Sequence, residues 1–288
     1  MDWTERRLEV PGLEVAAKIW GPDQGRPVLA LHGWLDNAGS FDALIPMLTS
    51  GPKPLQLVAI DLPGHGRSPG RGAADAYHFV DWVGVVLQCA DALGWERFSI
   101  LGHSMGAAIA SMVAPVAAQR VEGMVFLDGL GPWSHPDDKV VDQLQAGLAE
   151  EKLMRDKKRR RYESVEAMLD TLAKSRDDVS RERLRLLLKR GARRDGQGKW
   201  YFTYDRKLQA ASRLRLTEAQ VLTFLSGIEC PVFLVRPRWG WPVPEEMMKR
   251  RLAAIPDLEV LNVEGGHHVH LEAPQRLCDE VGRFLGAP

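Results

Sequence analysis

The sequence predicts an α/β fold in which a mainly parallel sheet is covered by helices on both faces and carries an inserted helical cap. Short apolar runs alternate with segments of helical spacing along most of the 288 residues, as expected of βαβ units. The runs 27–31 and 55–60 are continuously apolar, which is typical of strands buried on both faces. Hydrophobic residues make up 45% of the chain, enough to form a sizeable core.

The remaining elements follow from local periodicity. Leu13, Val15, Ala17 and Ile19 alternate with intervening positions and predict a half-exposed strand before the two buried runs. Further strands are predicted at 98–101, 124–127, 232–235 and 258–263, and helices at 41–48, 79–90, directly after residue 104, and at 277–284.

The alternation is interrupted between residues 133 and 221, where no strong strand signal appears. Helical spacing at 140–148, 165–172 and 184–188 predicts a helical cap there, inserted into a core formed by 1–132 and 222–288. Such a cap would cover the mouth of a site and contribute to selectivity. From Glu150 to Asp195 there are 16 Lys or Arg against 10 Asp or Glu, which we interpret as solvated helix faces. The alternative is a surface that steers an anionic substrate or contacts acidic groups.

Composition excludes several classes of function. The formal net charge is zero, so no global field favours nucleic acid or an anionic membrane. No apolar run is long enough for a membrane span. Cys89, Cys230 and Cys278 lack paired spacing, which argues against a disulfide framework or a zinc site and predicts a cytoplasmic location. Oligomeric state is not readable from the sequence.

The segment Gly102-His-Ser104-Met-Gly106 follows an apolar strand and precedes a run of small residues. Strand, Gly-x-Ser-x-Gly and helix in that order predict a nucleophile elbow, a sharp turn that exposes the serine hydroxyl. The two glycines are needed where strand and helix approach too closely for side chains. Ser104 is therefore the candidate nucleophile.

A serine hydroxyl needs a base, and three histidines follow the last predicted strand. His267 is the preferred base because it comes directly after a Gly pair, where the chain can turn inward; His268 and His270 are the second and third candidates. A metal site is a further interpretation of this cluster, but no Cys or acidic residue nearby has zinc-like spacing. We expect neither a metal nor a cofactor.

Two backbone N–H groups near the serine are needed to stabilise an oxyanion. One is expected from Met105, which follows the nucleophile at the positive end of its helix. The other is expected from Trp34, in the loop after the strand 28–31, where Gly33 allows a close approach.

Four motifs, at 32–34, 61–68, 102–106 and 266–274, together resemble the α/β-hydrolase superfamily. The segments 265–274 and 127–132 further resemble its serine hydrolase-like branch, whose substrates are poorly defined. The resemblance implies an α/β-hydrolase fold, serine hydrolase chemistry and His267 as base. It also implies that Asp61 and His65 are structural, and a serine at the elbow disfavours epoxide hydrolysis and dehalogenation.

The chain departs from the superfamily at the acid that orients the histidine. Members usually carry an aspartate after the seventh strand, but the loop 236–244 contains no carboxylate. Some members place the acid after the sixth strand, where Asp128 stands, so Asp128 is the preferred acid and Glu245 and Glu246 are the alternatives. A capping role for Asp128, with the acid missing, remains open.

The functional prediction is a cofactor-independent serine hydrolase that cleaves a small-molecule carboxylic ester, by default of short or medium chain, through an acyl-enzyme. An acyltransferase with the same triad is an alternative. A non-enzymatic ligand receptor on the same fold is the rival from another class. Trp239 and Trp241 either line an acyl pocket or, as is commoner for such aromatics, pin their loop to the core.

Overall fold

The computed structural model describes residues 3–51, 53–72 and 75–286, and a large sheet lies at the centre of this part of the chain. Ten strands are present in these residues: β1 (Thr4–Val10), β2 (Leu13–Trp20), β3 (Arg26–Leu31), β4 (Leu55–Ile60), β5 (Phe98–His103), β6 (Val121–Leu127), β7 (Ala192–Arg194), β8 (Trp200–Phe202), β9 (Val232–Trp239) and β10 (Leu258–Gly266). Eight of them form the central sheet, in the order β1-β2-β4-β3-β5-β6-β9-β10. Only β1 and β2 pair antiparallel to their neighbours, and the other pairs are parallel.

Helices cover both faces of this sheet. In chain order they are α1 (Ile45–Leu48), α2 (Asp81–Ala92), α3 (Met105–Val116), α4 (Val140–Asp156), α5 (Val165–Ala173), α6 (Arg181–Gly191), α7 (Glu218–Ser226), α8 (Glu245–Ala254), α9 (Val269–Glu272) and α10 (Cys278–Leu285). Side chains of α2, α3 and α7 pack in the apolar cluster on one face, and those of α1 and α10 pack in the cluster on the other. The predicted α/β fold with a mainly parallel sheet is therefore confirmed.

Burial explains which strands were visible in the sequence. Every residue of β4 and β5 is buried, so both read as continuous apolar runs. The strand β1 was not predicted because it is an edge strand with four exposed residues at its start, and only Leu8 and Val10 are buried. The helices α7 and α8 were also not predicted.

The prediction of a half-exposed strand at β2 was wrong. Ala16 and Lys18 are buried together with the apolar residues of that strand. Lys18 is accommodated because its ammonium pairs with Asp42 and lies 3.9 Å from the ring centroid of Trp3. The predicted helix at 41–48 is also interrupted: a 3₁₀ turn over Ala38–Phe41 precedes the single turn of α1.

The segment 133–221, predicted above as a cap and called the insertion below, follows β6 and contains α4, α5 and α6, and its predicted end falls within α7. It also contains an antiparallel hairpin of β7 and β8, contrary to the expectation of helices alone. A separate apolar cluster, including Met168, Leu169 and Leu184, packs within it and reaches Leu271. The hairpin strands have three residues each, too short for a periodicity of two to be recognised.

Candidate active site

Ser104 lies at the turn between β5 and α3, in a backbone conformation that L-residues rarely adopt, with φ of +51° and ψ of −113°. The two flanking glycines explain how this turn fits. A Cβ on Gly106 would lie 2.0 Å from the carbonyl oxygen of Leu31, and one on Gly102 would lie 2.6 Å from the Ala107 backbone. Because neither side chain is present, helix and strand approach closely and the serine is presented at the strand end.

His267 lies just beyond β10, and its imidazole connects two of the predicted residues. Its Nδ1 is 2.5 Å from Oδ2 of Asp128, and its Nε2 is 3.0 Å from Oγ of Ser104. A carboxylate only accepts hydrogen bonds, so Nδ1 carries the proton and Nε2 accepts from the serine hydroxyl. Ser104, His267 and Asp128 thus form a continuous chain of hydrogen bonds, which is the geometry that serine activation requires.

Sheet register brings Asp128 and Ser104 together. His103 pairs with Leu127 where β5 and β6 end, so the residues that follow lie side by side at one edge of the sheet. Asp128 also has a positive φ of +47°, and its N–H donates to the carbonyl of Val235 at 3.0 Å.

The loop after β9 completes the environment of the carboxylate. The N–H of Trp241 donates to Oδ2 of Asp128 at 2.7 Å. A Cβ on Gly240 would lie 2.4 Å from Oδ1 of Asp128, so this loop contacts the carboxylate only because residue 240 is glycine. This loop, which lacks the acid usual in the superfamily, instead donates a hydrogen bond to an acid from the neighbouring strand.

The alternative candidates have other partners. Glu245 and Glu246 lie in the first turn of α8, where their side chains are 82% exposed and pair with Lys249. His268 Nδ1 lies 3.1 Å from Oδ1 of Asp178. His270 is fully buried, with its Nε2 2.9 Å from Oγ of Ser40.

His103, the residue before the serine, was not singled out from the sequence. Its Nε2–H donates to the main-chain carbonyl of His267 at 3.0 Å, so it holds the backbone of the residue that reaches Ser104. Burial, and after it the proximity of the His270 imidazole, lower the pKa of His103 well below its usual range. The ring is therefore a neutral, permanent donor. Its place inside the elbow motif is the only signal that the sequence carries for this role.

Asp36, Arg176, Asp178 and His268 form an ionic cluster beside the candidate triad. Arg176 of the insertion lies 2.6 Å from Oδ1 of Asp36, and the two side chains are 11% and 2% exposed. Burial raises the pKa of Asp36, but the Arg176 guanidinium and His268 outweigh it and lower that pKa to about 2. Burial likewise raises the pKa of Asp178, but the hydrogen bonds that it accepts from the side chain and main chain of His268 outweigh burial and lower that pKa to about 2. The insertion is thus joined to the histidine loop through ionised carboxylates.

The two residues expected to provide oxyanion-stabilising amides lie on the predicted elements. Met105 is the first residue of α3, and Trp34 lies in the loop after β3. In the part of the chain that the structure describes, neither main-chain N–H donates a hydrogen bond to another residue. A Cβ on Gly33 would lie 2.9 Å from Nδ1 of His103, so a glycine is needed there.

The residues implied to be structural lie away from this hydrogen-bond chain. Asp61 is fully buried and accepts hydrogen bonds from the N–H groups of Ala38 and Arg67 and from the Arg190 guanidinium. His65 packs edge-on against the ring of His32. Both organise the loops around the site.

Trp241 lies beside the candidate base on its solvent side. The Trp241 ring centroid lies 5.4 Å from that of His267, and Trp241 is 57% exposed. Trp239, in the same loop, is 65% exposed. Of the two interpretations of these tryptophans, this exposure disfavours the one in which they pin their loop to the core.

One group of histidines has the proximity that metal binding requires. Single ring nitrogens of His103, His267 and His268 lie within 4.8 Å of one another. Both nitrogens of His267 already contact Ser104 and Asp128, and Nδ1 of His268 contacts Asp178. A metal bound here would compete with those contacts.

A mainly parallel sheet with a serine elbow after β5 and a histidine after the last strand defines an α/β hydrolase. The chain matches the model of the alpha/beta hydrolase fold family over residues 26–274 and belongs to that family. The resemblance to its serine hydrolase-like branch is confirmed as well.

Three similar proteins illustrate this relationship. A serine hydrolase-like protein of Dictyostelium discoideum is 33% identical, covering 95% of this chain and 79% of that protein. A serine hydrolase-like protein of Danio rerio is also 33% identical, covering 98% and 88%. The crystal structure of a hypothetical protein from Pseudomonas aeruginosa is 38% identical and superposes with a TM-score of 0.90, covering 98% of both chains.

Among the residues that the structure describes, no helix combines the length and the apolar character needed to cross a bilayer.

Proposed function

We propose that this protein is a serine hydrolase that cleaves a carboxylic ester through an acyl-enzyme intermediate. The observation that carries the proposal is the hydrogen-bonded series from Ser104 through His267 to Asp128, with heavy-atom distances of 3.0 and 2.5 Å. The family assignment supports hydrolysis as the reaction class.

In the proposed reaction, Ser104 Oγ bonds to the ester carbonyl carbon while its proton passes to His267 Nε2. Asp128 holds the imidazole orientation and stabilises the imidazolium. The carbonyl oxygen becomes an oxyanion, which the N–H groups of Trp34 and Met105 stabilise. The bond to the leaving alkoxy group then breaks, and His267 returns its proton to the departing oxygen.

Deacylation repeats these steps with water. His267 removes a proton from a water molecule, whose oxygen attacks the acyl carbon, and the proton then returns to Ser104 as the acid product leaves. An alcohol or thiol in place of that water would make the same acyl-enzyme an acyltransferase. We further propose that the insertion covers this site as a cap, because Arg176 and Asp178 contact residues beside the triad.

The first test is the intact mass of the wild type and of Ser104→Ala after incubation with a small fluorophosphonate. One adduct on the wild type and none on the variant is the expected result. Turnover of p-nitrophenyl acetate, butyrate and octanoate is then compared between the two proteins. Absence of an adduct on the wild type, or equal turnover by both proteins, would contradict the proposal and favour a ligand-binding role.

A further inference from the structure

A groove rich in arginine lies at the junction of the insertion and the core. It encloses about 520 Å³. Its lining includes Arg7 and Arg67 from the core and Arg159, Arg161, Arg193 and Tyr201 from the insertion. Among its described lining residues, Glu14 is the only acidic one. We call this feature the arginine groove.

Three of the five arginines form ion pairs with carboxylates. The pairs, with N–O distances of 3.2, 3.2 and 2.7 Å, are Arg7–Glu14, Arg67–Glu5 and Arg161–Asp195. Two remain: in the described part of the chain, no carboxylate lies within ion-pair distance of Arg159 or Arg193. Arg159 donates instead to the neutral main-chain carbonyl of Phe202 at 2.6 Å.

Tyr201 lies among the three insertion arginines that line the groove. Arg193 is paired with Tyr201 across the β7–β8 hairpin, so both side chains lie on one face of it. The guanidinium of Arg159 lies 5.2 Å and that of Arg161 lies 4.7 Å from the Tyr201 ring centroid. Burial lowers the pKa of Arg159, and the like charges of Arg161 and Arg206 lower it further, against the opposing effects of Tyr201 and Asp205. A bound anion would relieve this repulsion.

We propose that the arginine groove binds the phosphate group of a small phosphorylated molecule. A phosphate ester carries about two negative charges at neutral pH, and Arg159 and Arg193 have no ion-pair partner among the described residues that would compete for it. Its oxygens accept paired hydrogen bonds from planar guanidinium groups. The volume of about 520 Å³ is that of a small-molecule site and exceeds what a lone phosphate fills. The sequence Lys157-Lys-Arg-Arg-Arg161 belongs to the basic stretch that we interpreted as solvated helix faces, but it follows the end of α4 as a loop, and Arg159 and Arg161 line the groove.

Titration calorimetry at constant ionic strength tests this site with three probes: inorganic phosphate, glucose 6-phosphate and AMP. We expect saturable binding, with at least one phosphate ester binding more tightly than inorganic phosphate. In that case Arg193→Gln should raise the Kd at least about tenfold, since charged hydrogen bonds are lost. If inorganic phosphate binds as tightly as both esters, the site is retained but its occupant is free phosphate, which overturns the part of the proposal concerning an organic ligand.

Arg194→Gln is the matched control. Residue 194 is opposite Trp200 in the same hairpin, so its side chain lies on the other face, where its Nε donates to the carbonyl of Gly198. The substitution removes the same charge and should change the Kd less than about twofold. Arg159→Gln and Arg160→Gln form a second pair, because Arg160 stacks on Tyr162 instead. Equal weakening in both members of each pair, or no saturable binding of any probe, would overturn the proposal.

Labelling by the fluorophosphonate separates this inference from the proposed function. Arg193 makes no contact with Ser104, so Arg193→Gln should be labelled at the wild-type rate when phosphate is absent. Loss of phosphate binding with unchanged labelling therefore concerns the arginine groove alone.

Discussion

The carboxylate of Asp128 accepts two hydrogen bonds, and the imidazole that it orients accepts a third from Ser104. The carboxylate accepts from His267 and from the N–H of Trp241, and the next carboxylates along the chain, Glu245 and Glu246, are exposed and paired with Lys249. An amide at position 128 lacks the negative charge that stabilises the imidazolium, and its NH₂ group, where it faces Nδ1, favours the wrong imidazole tautomer because it only donates.

We therefore expect Asp128→Asn to lower kcat by about 10³- to 10⁴-fold with little change in KM, because orientation of the base is lost and substrate contacts are kept. Where no substrate has been found, the rate of Ser104 labelling by a fluorophosphonate is the measurement. Glu245→Gln is the control and should react like the wild type. A larger loss in Glu245→Gln than in Asp128→Asn would assign the acid to α8.

At the scale of single residues, the sequence predicted those that local motifs mark. The structure brings three of them, Ser104, His267 and Asp128, together. It did not predict the supporting groups. His103 acts through the main chain of His267, and Arg176 reaches Asp36 from 140 positions away. Such contacts depend on tertiary packing, which local spacing does not encode.

At the scale of secondary-structure elements, the close approach of β3 and α3 determines how sharply the elbow turns. Gly106 touches the backbone of β3, whereas Gly84, within α2, has nothing within 4 Å of the position where a Cβ would lie. Replacing these two helical glycines by alanine should therefore have opposite effects on the free energy of unfolding.

Gly106→Ala should reduce the free energy of unfolding by several kcal/mol, because its Cβ would overlap the carbonyl oxygen of Leu31 and force the helix away. Gly84→Ala should raise it by about 0.5–1 kcal/mol through helix propensity. Urea denaturation of the two variants and the wild type measures both changes. Equal effects of the two substitutions would show that the elbow tolerates a wider separation of strand and helix.

Elements were predictable where burial on both faces produces an apolar run, as in β4 and β5. They were missed where tertiary structure, and not the local pattern, supplies stability. The charged edge strand β1 is held by pairing with β2, and the hairpin of β7 and β8 has strands of three residues each. Lys18 was expected to face solvent because its partner Asp42 is not a sequence neighbour.

Across the whole molecule, buried ion pairs join the insertion to the core on two sides. Arg190 pairs with Asp61 and Glu5, and Arg176 pairs with Asp36. Breaking a buried pair leaves a charge without compensation, which typically costs about 3–5 kcal/mol. These pairs therefore make the position of the insertion depend on ionised side chains.

Buried histidines make the free energy of unfolding depend on pH. Burial lowers the pKa of His32 to about 4 and the pKa values of His65 and His270 to about 3. In the unfolded chain a histidine titrates near 6.5. Between these values the unfolded chain binds more protons than the folded protein, so the free energy of unfolding falls as pH falls.

For one such histidine, lowering the pH from 7.5 to 5.5 should cost about 1.4 kcal/mol of stability. His270→Gln removes one of these groups, so its stability should fall by about 1.4 kcal/mol less than that of the wild type over this interval. Urea denaturation at the two pH values measures the difference. His78→Gln is the control, because His78 is exposed and should leave the dependence unchanged. If all three proteins lose the same stability, His270 takes up a proton in the folded protein over this interval as it does in the unfolded chain, and the prediction is wrong.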